Sequence, residues 1–132
     1  MSPRAFAARA EALAGTRFRL HGRDPAHGLD CVGLVAAALG REDAPTGYAL
    51  RNSDIARHLA FAARAGFVPA TDAVRRGDLL LAVPGPAQHH LLVALGSDRF
   101  VHAHAGLGRV VVQPGPLDWP IAAHWRLPHE SN

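Results

Sequence analysis

The feature that most constrains the fold is a change of hydrophobic period near residue 76. Before it, apolar residues recur at helical spacing, and after it they fall into short runs cut by turns. Residues 3–14 predict a helix with Ser2 as cap, Pro3 in its first turn and Gly15 at its end; Phe6, Ala10 and Leu13 share one face. Residues 16–29 read as a loop, and Asp30 then caps an alanine-rich helix that runs from Cys31 to Gly40. Ser53 or Asp54 caps a third helix to about Ala65, with Ile55, Leu59 and Ala62 or Ala63 inward and His58 structural or exposed. Beyond Arg76-Gly77-Asp78, the runs LLLAV, HLLVALG, RFVHAHAG and RVVVQP predict strands, with Gly96-Ser97-Asp98 and Gly106-Leu107-Gly108 as turns and a last strand near AAHWRL. Helices first and an antiparallel meander after them give an α+β fold, with the N-terminal helices on one face of a sheet of five to six strands. The 132 residues are expected to form one domain, 1–132.

Several function classes are excluded early. All fourteen basic residues are arginines, scattered except for Arg75-Arg76, and the net charge is only +3, so no nucleic-acid-binding stripe is present. The N-terminus alternates charge with alanine and lacks the apolar core of a signal peptide, and no run is long enough to span a membrane. The expected location is therefore cytoplasmic as made.

Cys31 is the single cysteine, so no disulfide can form within the chain. It stands at the first turn of its helix, beside N–H groups without intrahelical partners and in the positive end of the helix dipole. That setting is expected to lower its pKa and favour the thiolate, while the N–H groups could hold an oxyanion. Four of the nine histidines, His89, His90, His102 and His104, fall in the predicted strands. A tight turn at 96–98 makes His90 and His102 neighbours on adjacent antiparallel strands. With the Cys31 helix laid across that face, Cys31 becomes the nucleophile, His90 its base and His102 the group that orients the His90 ring. His104 shares the face of His102 and competes for the third place. His89 should face away, because adjacent strand residues alternate. An alternative is a zinc hydrolase site ligated by His90, His102 and His104. His124 and the two tryptophans, Trp119 and Trp125, read as packing residues, although an exposed tryptophan could stack on sugar.

The segment GLDCVGLV resembles the D-C-S-G-L/F-V motif of the NlpC-type cysteine peptidases, RRGDLLLAV resembles their P-G-D-L strand, and HLLVALGSDRFVHA resembles their H-V-G-I-Y-L-G…I-H-A segment. GTRFRLHGRDPAHGLDC is similar to the family's G-T-P-Y-x-W-G-G lead-in, and the resemblance covers residues 12–105. It implies a papain-like core without cofactor or metal. It also implies hydrolysis of peptidoglycan stem peptides, commonly between D-γ-glutamate and a diamino acid, by Cys31, His90 and His102. The short chain without a leader resembles the wall peptidases of phage tails and gene-transfer particles, which implies phage-tail-like assembly proteins as partners.

The chain departs from the family at two places. Phe18 stands where the family carries a tyrosine that assists the oxyanion, and Val32 replaces the serine after the cysteine. His21 is a candidate substitute donor. Arg23, Asp30 and His104 are further candidates for substrate or oxyanion contact, with Asp30 reading foremost as a helix cap, and Arg23, Arg99 and Arg109 could hold a substrate carboxylate. The missing tyrosine hydroxyl also keeps open a non-catalytic wall-binding or structural module of the same fold.

Overall fold

A computed structural model describes residues 1–45 and 55–128. Helix α1 (Pro3–Glu11) is capped by the Ser2 side chain, which accepts from the Ala5 N–H at 3.1 Å. It stops a turn earlier than its sequence pattern predicts, because Gly15 adopts a positive φ of 91° and its N–H binds Val110 O at 2.8 Å. Helix α2 (Cys31–Leu39) begins and ends as predicted, with Asp30 as N-cap and left-handed Gly40 as C-cap. Helix α3 is Ala56–Arg64. The caps expected for it, Ser53 and Asp54, lie outside the described residues. Of the residues expected inward, Ala62 is buried and Ile55 packs against the core, but Leu59 is 39% exposed, and His58 and Phe61 complete the buried face. Phe61 accounts for the difference, since it buries more apolar area than Leu59 could.

The expected loop 16–29 contains a short hairpin, β1 (Arg23–Asp24) with β2 (Gly28–Leu29). The main sheet comprises β3 (Val68–Pro69), β4 (Leu79–Ala82), β5 (His90–Ala94), β6 (Arg99–His104), β7 (Arg109–Pro114) and β8 (Ile121–Arg126). All its pairings are antiparallel, in the order β3-β8-β4-β5-β6-β7. The meander β4 to β7 matches expectation. Strand β3 was not expected from the sequence, and β8 does not extend the meander but returns to lie between β3 and β4.

The two faces of the sheet bury different partners. Leu79, Leu81, Leu91, Val93, Val101 and Ala103 pack with α1, α2 and α3 through Phe6, Val32, Val35 and Phe61. The intervening residues Leu80, Ala82, Leu92, Ala94 and Phe100 form a smaller core under Val74, Leu117 and Trp119. Among the described residues no helix is long and apolar enough to cross a membrane.

The returning strand is fastened by Asp78, which is fully buried at the head of β4. Its carboxylate accepts from Arg126 Nε and Nη2, both at 2.8 Å, from the Arg75 N–H at 2.9 Å and from His124 Nε2 at 2.6 Å. His124, expected to be simple packing, is thus part of an ion network. Burial alone would raise the Asp78 pKa, but the bonds from Arg126 and His124 outweigh it and hold the group below the usual carboxylate range. Its contribution is therefore present above the ordinary carboxylate pKa and is lost as pH falls through the lowered value. Asp78→Ala should destabilise the fold by about 3 kcal/mol, because it removes the buried carboxylate that Arg126, His124 and the Arg75 N–H share and leaves Arg126 only its exposed acidic partner Asp72; urea unfolding at neutral pH measures this.

Candidate active site

The Asp30 carboxylate sets the position of Cys31. It is 2% exposed and accepts from Gly33 N (2.8 Å), Arg23 Nη1 (2.9 Å) and His21 N (2.8 Å). One group therefore caps α2 and ties the preceding loop to it. Gly33 is required by the same crossing: a Cβ there would lie 1.9 Å from Gly22 O. Asp30 lines the cavity, but its oxygens serve these three donors.

Cys31, His90 and His102 line one cavity of about 240 Å³, together with Phe18, His58 and Trp119. The thiol comes from the helical side of the sheet, since Cys31 packs against the larger core. The imidazoles come from the other side. His90 pairs with Ala82 and alternates with Leu91, while His102 alternates with Val101 and Ala103. The helix is thus not laid across the histidine face, as the sequence suggested. The first residue of α2 and the two imidazoles nevertheless line the same cavity.

His90 Nε2 lies 2.7 Å from His102 Nδ1, and His102 Nε2 lies 2.8 Å from Gln113 Oε1. The His90 and His102 rings meet edge to face at a centroid distance of 4.8 Å, and Trp119 stands edge-on to both at 5.9 Å. His104 is not in the third position: its ring is tilted against His102, and its Nδ1 accepts from the Leu107 N–H at 3.0 Å. These engagements do not suit shared zinc ligation, and among the described residues no group of three His, Cys, Asp or Glu side chains is arranged to hold a metal.

The expected lowering of the Cys31 pKa is not found. Burial, and secondarily the Asp30 charge, push the thiol up to about 12, against smaller opposing effects of the Leu91 and Val32 N–H groups and Arg23. The helix end is real, but desolvation and a carboxylate at the adjacent residue outweigh it. Burial, with His102 and His104 nearby, pushes His90 down to about 3. His102 is lowered by burial, offset in part by its bond to Gln113. The resting pair is therefore a neutral thiol and a neutral imidazole.

Other candidates fall outside this cavity. His21, with a positive φ of 62°, lies with Arg19, Arg23 and His27 in a separate shallow groove. Arg23 is committed to Asp30, to Gly22 O (2.9 Å) and to Pro45 O (2.5 Å). Arg99 pairs with Glu11 at 3.3 Å, and Arg109 is exposed at the start of β7. Phe18 does line the cavity. His89 also lines it, contrary to expectation, because it precedes the strand and escapes the alternation. His58 and Gln113 were missed. His58 carried no signal once its helix was assigned a face centred on Leu59. Gln113 was findable, since Val111 opposes His102 and Gln113 is two residues further on the same face.

The sequence matches the NlpC/P60 family over residues 15–116, and the chain belongs to that family. Among curated proteins none matches the sequence. Solved structures that share the fold include the following three. NlpC1 from Trichomonas vaginalis is 20% identical with a TM-score of 0.69, over 95% of this chain and 43% of its own. The P60 domain of an antigen from M. avium subspecies paratuberculosis is 21% identical with a TM-score of 0.61, over 97% and 95% of the two chains. The peptidoglycan hydrolase RipB from Mycobacterium tuberculosis is 21% identical with a TM-score of 0.55, over 97% and 65%. The chain spans less than half the length of NlpC1.

A neutral resting thiol has a spectroscopic consequence. Thiolate absorbance near 240 nm should be absent from about pH 5 to pH 9 and grow only as pH climbs toward the raised pKa. The difference between wild type and Cys31→Ala isolates it; a rise centred below pH ~7 would instead reveal a thiolate–imidazolium pair.

Proposed function

We propose that the chain is a cysteine peptidase that hydrolyses stem peptides of bacterial peptidoglycan at a D-γ-glutamyl–diamino acid bond. Family membership supports the reaction class. The observation that carries the reading is the convergence of Cys31, His90 and His102 on one cavity, with the two rings joined at 2.7 Å.

In this mechanism Cys31 Sγ attacks the scissile carbonyl carbon while its proton passes to His90 Nδ1, so no ion pair is needed beforehand. The carbonyl π electrons move to oxygen, which faces the N–H groups of Cys31 and Val32, the first two of α2 and without i−4 partners by helix geometry. Collapse of the tetrahedral species breaks the C–N bond, and His90 returns the proton to the leaving amine. Water, deprotonated by His90, then cleaves the thioester and restores the thiol. His102 holds the His90 ring throughout, and Trp119 shields their bond from water, which strengthens it.

Incubation with defined muropeptides and mass analysis of the products tests the reading. The wild type should release the diamino-acid-containing fragment, and Cys31→Ala and His90→Ala should each release none above background. Cleavage that survives in Cys31→Ala would end the proposal.

A second reading, a non-catalytic wall-binding module, is favoured by one observation: the phenyl ring at position 18, which brings no donor to the cavity. Phe18→Tyr separates the two. In a peptidase it adds a donor beside the cavity and should raise kcat, since such a donor is worth about 10²–10³ in rate. In a binding module both forms retain sedimentation with wall sacculi and neither cleaves them.

A further inference from the structure

We infer that Gln113 is a positioning residue that sets the tautomers of both site histidines, so that His90 turns a lone pair at Nδ1, not an N–H, toward the cavity that holds Cys31. The inference rests on the peptidase reading and assigns that site a fourth member.

The steps follow from what each atom can do. Gln113 Oε1 is an amide oxygen and only accepts, so its 2.8 Å contact requires the proton on His102 Nε2. A neutral imidazole carries one N–H, which leaves His102 Nδ1 as an acceptor. The 2.7 Å contact between the rings must then be donated by His90 Nε2. His90 has now placed its single proton, and Nδ1 is the base. Burial disfavours the charged form of both rings, as do His102 and His104 beside His90 and His104 beside His102, so the one-proton count applies.

Reversal of the amide would reverse every bond. With an N–H₂ facing His102 Nε2, His102 would carry its proton on Nδ1 and donate to His90 Nε2. His90 would then hold its proton on Nδ1 and could not accept one from sulfur. The same order matters after transfer. The His90 imidazolium keeps its Nε2–H directed at the His102 lone pair, whereas the opposite tautomer would set N–H against N–H. The sheet supplies the placement: Val111 opposes His102 across β6 and β7, and Gln113 is the next residue on that face.

Long-range ¹H–¹⁵N correlation of the imidazole nitrogens at neutral pH reads tautomers without substrate. The wild type should show both His90 and His102 protonated at Nε2. Gln113→Leu should lose that preference and lower kcat about 10²-fold with KM unchanged, the scale of lost general-base catalysis. Gln113→Glu offers a carboxylate oxygen to the same N–H. It should keep the wild-type tautomers, restore kcat and move the acid limb of the pH–rate profile upward, because a negative charge raises the ring pKa values. That shift reports only the added charge; the loss of the tautomer preference in Gln113→Leu and its return in Gln113→Glu are what a merely structural glutamine would not produce. A proton on His90 Nδ1 in the folded wild type overturns the inference, as does a Gln113→Leu variant with wild-type tautomers and kcat. If the wild type cleaves no muropeptide, the peptidase reading fails by itself, and the NMR pattern alone upholds or overturns the tautomer assignment.

Discussion

The arrangement depends on one buried carboxylate. Asp30 joins the first turn of α2 to the loop before it through three hydrogen bonds, and Cys31 is the next residue in the chain. That junction adds to the backbone bonds between Arg17, Arg19 and Leu29, and together they hold the loop carrying Phe18 against the helix end. The close approach of Gly22 to Gly33 depends on the same junction, which explains why a glycine follows two residues after the cysteine. The same carboxylate has an opposing effect: one residue from the sulfur, it disfavours the thiolate that the helix terminus would otherwise promote. Geometry and electrostatics therefore conflict at this point, which is why the proposed mechanism moves the proton during attack.

Much of the scaffold was legible because local signals agreed with tertiary ones. The boundaries of α2 follow from Asp30 and Gly40, and the meander β4 to β7 follows from apolar runs between turns. The failures arose where tertiary packing decided the matter. Nothing local marks Val68–Pro69 as a strand, since pairing with β8 alone defines it. The buried face of α3 turned on Phe61 against Leu59, two apolar choices that periodicity did not distinguish. His124 looked inert because its partner, Asp78, is 46 residues away.

The site was legible in its membership more than in its physics. The spacing of His90 and His102 foretold their contact, because a tight turn fixes antiparallel register. It could not reveal which face of the sheet the helix would occupy, and the thiol and imidazoles reach the cavity from opposite layers. Nor could it foretell the thiol's pKa, which is set by burial more than by sequence neighbours. Gln113 lies between these cases: strand alternation would have placed it beside His102, but nothing in its identity pointed to a role before that bond was seen.

The protonated sulfur also bears on durability. Peroxides and disulfides react with thiolates, and a cysteine that holds its proton until a carbonyl arrives offers them little to attack. An acidic cysteine in the same place would drift toward sulfenic acid in aerated surroundings. Here the desolvation that restrains the resting nucleophile also restrains its oxidation, so one physical cause governs both reactions of the sulfur.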